Sequence, residues 1–432
     1  MPADARTSYP DLFRIPTFPR LAGGVILART ASQMMQLALV LFVLQRFHSP
    51  TLAGITVFLA IAPGIAMSPI AGALLDRHGR VGLITLDYLV GAVSLMLIAG
   101  LDAVGRLGPA ALLPIVAVSS LTYPLSNSGA RSLLPLIVPK RLWDRANALD
   151  SIAYALTIGA GPALAGALTA IASSRVALLA TALVFVVAAA LMSGLREAVV
   201  ERRPASVAAE AWAGLRHVLV RNQTLRGVAL VVSLMNVGLG VLVVAVPVMV
   251  FQRLHINAVF VGELWAIYGL ASVPSALAFG RINTEGRERL VMSLAALAAG
   301  LGVLLLAVAN DAWVALLAML IAGLANGPFD VSMFSLRQRR TDPAWFGRAF
   351  AISMGVNWAG TPIGSAISGP LIHLGLSLAF IVASGFIVLG AGLTRFVIPE
   401  ESAGKMTGES ARQPRRGDPV EESPSSAEQG AG

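Results

Sequence analysis

Gly72-Ala73-Leu74-Leu75-Asp76-Arg77-His78-Gly79-Arg80 packs four charged or titratable side chains into five residues between two long apolar stretches, about 52–75 and 81–101. The segment reads as a tight cytoplasmic connection between two membrane-spanning helices. Outward from it the same layout recurs: 56% of the 432 residues are hydrophobic and 13% charged, against about 25% charged in a soluble chain. Water is therefore not the solvent for most of the surface. Apolar segments fall at about 21–44, 52–75, 81–101, 109–135, 147–171 and 175–195, and resume at about 227–251, 258–280, 289–309, 312–336, 348–372 and 375–397. A helix rising about 1.5 Å per residue needs roughly 20 apolar residues to cross a hydrocarbon core, and helices satisfy their backbone groups one span at a time. The expected fold is an all-α polytopic membrane protein of twelve transmembrane helices in two six-helix halves, 21–195 and 227–398.

The basic residues orient these spans. Placing the N-terminus in the cytoplasm puts 18 Arg and Lys on the internal loops and their margins, from Arg77 and Arg80 to Arg348, and leaves only Arg46, Arg106, Arg175 and Arg253 outside. That division follows the positive-inside rule, accounts for the formal charge of +9 without nucleic acid, and puts both termini in the cytoplasm. The compact loops suit a bacterial inner membrane. Residues 1–20 read as a polar cytoplasmic segment without a cleavage signal, so the first span is a retained helix. In the linker 196–226, Trp212, Leu215, Val218 and Leu219 recur at near-helical spacing among Arg216, His217 and Arg221, as in a short amphipathic helix on the membrane surface. The tail 399–432 is polar, without an apolar period, and is expected to be disordered. Absence of cysteine excludes disulfides and thiolate chemistry.

A displacement of 207 residues aligns Asp76-Arg77-His78-Gly79-Arg80 with Asn283-Thr284-Glu285-Gly286-Arg287, and Arg29 with Asn236. Internal symmetry of this kind suits alternating access, with solute handled between the halves. The loop starting at Gly72 resembles the signature between spans two and three of the major facilitator superfamily, with Gly72, Asp76, Arg77, Gly79 and Arg80 in place and Val81 where a second basic residue is usual. Gly72 permits close helix contact, Gly79 a sharp turn, and Asp76 can accept from helix-end amides. The resemblance implies that this loop latches the cytoplasmic side of the outward-facing form. In the fifth span, Gly159-Ala160-Gly161-Pro162-Ala163-Leu164-Ala165-Gly166 sets small residues on close turns around a helix-bending proline. Gly161, Pro162 and Gly166 resemble the exporter motif of the drug and siderophore (enterobactin-type) branches, with Ala167 replacing its last glycine. Gly360, Pro362, Gly364 and Gly369 form a looser counterpart in the eleventh span.

Polar residues inside spans need a solvated route or a partner. Arg29, Gln33 and Gln36 share one face of the first span, Tyr123, Asn127 and Arg131 one of the fourth, and Asn326 and Asp330 one of the tenth, with Asn236 in the seventh. The resemblance implies that spans one, four, seven and ten line the central cavity, so these residues face the path of the solute. Counting from the cytoplasmic side sets Asp87 and Arg131 at similar depth, so an ion pair between them is expected, with Arg29 a competitor for the same carboxylate. Asp330 and Glu263, near the external end of the eighth span, are further candidates to carry a proton as their access to water changes.

Enzyme chemistry finds no support: the five histidines are scattered, no metal-ligand spacing occurs, and the Gly-x-x-x-x-Gly-Lys-Ser/Thr phosphate loop of an ATP-driven pump is missing. No cofactor is expected. The reading favoured is a monomeric, proton-coupled exporter of small amphipathic organic compounds, whose partners are its solute, protons and membrane lipids. A proton-coupled importer on the same fold is the alternative, and a receptor that has lost transport a third.

Overall fold

Helix starts are written locally. Ser49, Ser173, Asn222, Asn257 and Asp311 each accept a hydrogen bond from a backbone N–H in the first turn of the helix that follows, satisfying one of the donors a helix leaves bare. Pro50 and Pro109 stand at first positions where no donor is needed. The computed structural model describes residues 9–195, 216, 222–282, 284–341 and 353–400. A short α1 (Tyr9–Phe13) precedes six long helices: α2 (Phe18–Phe47), α3 (Pro50–His78), α4 (Arg80–Ala103), α5 (Pro109–Ile137), α6 (Trp143–Ile171) and α7 (Ser174–Ser193). The second set is α8 (Gln223–Gln252), α9 (Ala258–Phe279), α10 (Glu288–Leu306), α11 (Ala312–Arg339), α12 (Gly360–Leu374) and α13 (Leu376–Val397).

Eleven of these helices are long and apolar enough to cross a membrane. The eleventh segment in chain order differs: residues 353–358 are helical, Ala359 turns with its N–H on the Val356 carbonyl at 3.2 Å, and α12 follows. It stays consistent with the expected twelve spans as a broken one. Of the amphipathic helix expected around Trp212 to Arg221 only Arg216, which is helical, is among the described residues; the rest of it, the tail beyond 400, Asn283 and the Asp76 side chain lie outside them. The N-terminal segment is less polar in use than in composition. Leu12 of α1 is fully buried and packs with Phe18, Val138, Leu142 and Ala146, tucking the chain start under the α5–α6 turn.

Within each set the helices pack alike: α2 on α6 and α7 and α4 on α5 and α7, and correspondingly α8 on α12 and α13 and α10 on α11 and α13. Between the sets, α3 meets α12 and α6 meets α9. Consecutive spans alternate direction, so the α3–α4, α5–α6 and α9–α10 turns share one end, called here the basic end. The inter-set contacts made by glycines sit toward the other end. A Cβ on Gly54 would strike the Ser365 carbonyl, and one on Gly369 would strike the Thr51 backbone. Gly166 faces the Ala258 carbonyl, with 2.5 Å available to a Cβ, and Gly262 faces the Pro162 carbonyl with 2.9 Å. Glycine is what lets these backbones touch.

The 207-residue repeat reaches further than the loop that revealed it. Gly79 (φ 85°) and Gly286 (φ 73°) are equivalent left-handed turns, and Gln45-Arg46-Phe47-His48 is echoed by Gln252-Arg253-Leu254-His255, with His48 at φ 51° and His255 at φ 55°. Arg46 and Arg175 both pair with the buried Asp102, joining α2, α7 and α4. Arg253 has no such carboxylate among the described residues. It caps the end of α10 instead, donating to the Ala307 carbonyl at 3.0 Å and to Ser377 at 2.8 Å.

Candidate functional site between the two halves

Polar side chains gather along the middle of the bundle. On α2, Arg29 forms a two-pronged ion pair with Asp150 of α6, at 2.6 and 3.1 Å, and reaches the Asp150 carbonyl at 3.3 Å. Its guanidinium carbon lies 5.5 Å from the ring centre of Tyr154, one turn further along α6. Planar guanidinium suits both contacts, since it forks onto a carboxylate and stacks on an aromatic face. Asp150 and Tyr154 escaped the sequence reading because Asp150 sits at the charged flank of its span. The repeat carries the missing signal: the same displacement takes Arg29–Asp150 to Asn236–Asn357, and Asn236 Nδ2 donates to the Asn357 carbonyl at 2.8 Å.

Asp87 of α4 corrects an expectation. It is buried, and the groups that approach it are the hydroxyls of Ser126 and Thr122 on α5, each of which also reaches a carbonyl of its own helix. Neither the pair with Arg131 nor a contest with Arg29 is formed. The depth count missed as well as the facing: Asp87 lies level with Thr122 and Ser126, and Arg131 is five residues past Ser126, about 7.5 Å further along the helix and roughly 140° around it. Tyr123, Asn127 and Arg131 do share an exposed face of α5, as expected. Arg131 makes no ion pair among the described residues, and it lies within electrostatic reach of Tyr123 and Tyr154. Gln33 packs against Gly161, and Gln36 is exposed.

Across the middle, Tyr268 Oη of α9 donates to Asn326 Oδ1 at 3.1 Å, and Asn326 Nδ2 donates to Asp330 Oδ2 at 2.9 Å. Trp265 stands edge-on to Tyr268 at 6.0 Å. Just over one turn from Tyr154, Gly159 of α6 meets Ala266 and Gly269 of α9, so the stretches of the two halves that carry Tyr154 and Tyr268 approach one another here. Two turns from Asp330, Arg337 is 1% exposed. It donates to Asn357 Oδ1 at 2.9 Å and to the Met354 sulfur at 2.9 Å, and its Nε has no partner among the described residues. Glu263 stands apart from this group, exposed near the start of α9 at the end away from the basic loops.

The turn after Gly72 is built as expected in part. Gly79 takes the positive φ that favours glycine, Arg77 and His78 are exposed, and Arg80 Nε donates to Ser132 Oγ at 3.0 Å. Gly72 departs from its expected role, because a Cβ there would meet nothing within 4 Å among the described residues. In the second half the buried Glu288 pairs with Arg339, which the repeat makes equivalent to Ser132. Gly161 closes on α2 at Gln33, while Gly159, Pro162 and Gly166 abut α9. Gly360 and Gly364 close on α8 at Ser233 and Val237.

With this geometry the known proteins can be compared. The sequence model of the Major Facilitator Superfamily matches residues 21–284 and 228–426. The chain belongs to that superfamily. It is thus a transporter, not an enzyme. An uncharacterized MFS-type transporter of Sinorhizobium fredii, y4rN, is 36% identical over 405 residues, spanning 92% of this chain and 98% of its own. The multidrug efflux pump Tap of Mycobacterium tuberculosis is 25% identical over 376 residues, 83% of this chain and 87% of the pump. Among solved structures, a mutant of the nucleoside transporter NupG superposes with a TM-score of 0.73 at 14% identity, over 88% of this transporter and 99% of NupG. That likeness is one of fold.

Proposed function

We propose that this transporter exports small amphipathic organic compounds in exchange for protons, with the basic end in the cytoplasm and the site open toward it in the present state. The observation that carries the reading is Asp330, held by the Asn326 amide and by no ion pair among the described residues, and bonded through Asn326 to Tyr268 on the stretch of α9 that meets α6. A carboxylate free of a fixed cation can take a proton or a cargo group without first breaking a salt bridge. Asp150 cannot, because Arg29 occupies it. Asp87 is the second candidate, as its neighbours Ser126 and Thr122 are neutral. Contacts of α6 with α9 and of α3 with α12 close the far end, which in this reading is the external side. Similarity to the Tap efflux pump over most of both chains supports export, as does the small-residue segment from Gly159 to Gly166.

The test is transport by the full chain in sealed inside-out vesicles. An amphipathic fluorescent compound is expected to accumulate only when the lumen is acid, and collapse of the gradient to empty the vesicles. Asp330→Asn is expected to lower gradient-driven accumulation at least about tenfold, a loss of about 1.4 kcal/mol of coupling or more. Accumulation indifferent to the gradient would reject proton exchange. Accumulation confined to right-side-out vesicles would assign uptake instead.

A further inference from the structure

At the far end, the close of α2, the start of α3 and the close of α8 surround a cleft of about 310 Å³ that belongs to both halves. Its deeper part is apolar: Leu44, Pro50 and Val248 are buried, and Phe251 is half-buried beside them. Its mouth carries three exposed polar groups, the amides of Gln45 and Gln252 and the imidazole of His48, and none of them makes a side-chain hydrogen bond or ion pair among the described residues. The 207-residue repeat pairs Gln45 with Gln252 and Leu44 with Phe251, so the cleft straddles the line between the halves. His48, left-handed at φ 51°, ends α2 and joins the lining from the first half alone. Among the described residues no carboxylate, lysine or arginine is in the walls, and the neighbouring Arg46 is taken by Asp102.

We propose that this cleft is a second small-molecule site, separate from the residues around Asp330, which takes an uncharged flat heteroaromatic compound and, by bridging the halves, holds the far end shut. Its volume is at the lower bound of ligand pockets, about 300–1,000 Å³, which suits one or two fused rings. Each carboxamide offers both a donor and an acceptor, so a heterocycle whose edge carries both is matched group for group, and the Phe251 ring offers a face or edge to the plane of the compound. An ion would lose water there without a counter-charge. Because α2 and α8 lie in different halves, rocking that opens the far end draws the walls apart. A compound touching both walls therefore binds the present state better and shifts the protein toward it by that difference in affinity. With the basic end in the cytoplasm the cleft faces outward, so such a compound slows turnover from outside. The inference needs the halves to move but not a direction of transport, and so stands apart from the export reading.

Equilibrium dialysis of 2-aminopurine against the purified full-length protein tests this without any gradient. The probe is uncharged near neutrality, fluorescent, and carries donors and acceptors on its edge. One saturable site is expected, with benzoate and benzamidine, an anion and a cation of similar size, at least about tenfold poorer as competitors than unlabelled adenine. Gln45→Leu with Gln252→Leu is expected to weaken 2-aminopurine about tenfold or more, through the loss of two hydrogen bonds. Gly262→Val lies outside the cleft but overpacks the contact of Gly262 with the Pro162 carbonyl that helps seal the far end, and it is expected to weaken the probe about threefold or more by favouring states in which the walls part. Absence of saturable binding overturns the proposal, as does binding that the paired glutamine change leaves intact, or a charged competitor equal to adenine. Affinity unchanged by Gly262→Val overturns the coupling to the seal. If a variant does not purify as a folded protein, the ranking of competitors on the unmodified chain decides.

Discussion

Arg29 and Asp150 bind α2 to α6 by side chains that are 16% and 32% exposed, between the limits where ion pairs are worth little and where breaking one is severe. Asp150→Asn removes the counter-ion but leaves Arg29 half-buried over Tyr154, so a loss of stability between about 1 and 3 kcal/mol is expected. Thermal unfolding of the detergent-purified protein measures it. Pairing the change with Arg29→Gln should cost less than the sum of the two single changes, because the second removes the charge that the first strands. Additive losses would mean that the pair contributes nothing as a pair. Only Arg29 of this pair was legible in the sequence. A lone arginine in an apolar span announces itself by its cost, whereas Asp150 hides among Trp143-Asp144-Arg145-Ala146-Asn147, where charge is ordinary. Counting from the ends of two helices set Asp87 more than a turn too far along α5, level with Arg131 in place of Thr122 and Ser126, and it gave no azimuth at all. Its partners Thr122 and Ser126 are hydroxyls that an apolar span carries freely, so nothing in their residue type marked them.

Helices α6 and α9 meet across the halves through backbone, not side chains. That contact was readable as a run of small residues, since only such a run permits approach, but the run does not say which helix approaches. Gly161 answers to α2 and Gly166 to α9, although five residues of one motif separate them. Replacing Gly166 by Val drives a Cβ to about 2.5 Å from the Ala258 carbonyl, which belongs to a helix N-terminus and cannot rotate aside. Overpacking of this kind costs about 1–3 kcal/mol, and here it falls on the interface between the halves. Gly166→Val is therefore expected to unseat that interface and favour states in which the far end opens. Labelling of a cysteine placed at Ala258, buried in the contact itself, reads the change as faster modification by a membrane-impermeant reagent. Unchanged labelling would show that the contact bears no part of the seal. Gly72 gives the contrast, for a glycine read as a close contact turned out to face open space, and its motif neighbours Gly79 and Arg80 set the turn without it.

At the scale of the whole molecule, the two halves share a plan down to paired histidine turns and paired arginines, but differ in charge at the centre. Arg29 and Asp150 become Asn236 and Asn357, and Tyr123 becomes Asp330. A repeat supplies two bodies that rock about a common axis, and the differences supply a site that is not symmetric. If the cycle requires that rocking, the contact of α6 with α9 must break in every turnover. The chain contains no cysteine, so an introduced pair acts alone. A Cβ on Gly159 would stand 3.7 Å from the Cα of Ala266, which places the two Cα atoms within the span of a disulfide, about 4.4–6.8 Å. Gly159→Cys with Ala266→Cys is expected to cross-link under mild oxidation and to fall in vesicle transport by about tenfold or more, a barrier raised by at least about 1.4 kcal/mol. Reductant should restore the rate, and each single cysteine should transport under both conditions. Full transport with the bond quantitatively formed would show that α6 and α9 never part, and that solute crosses by a motion other than rocking of the two halves.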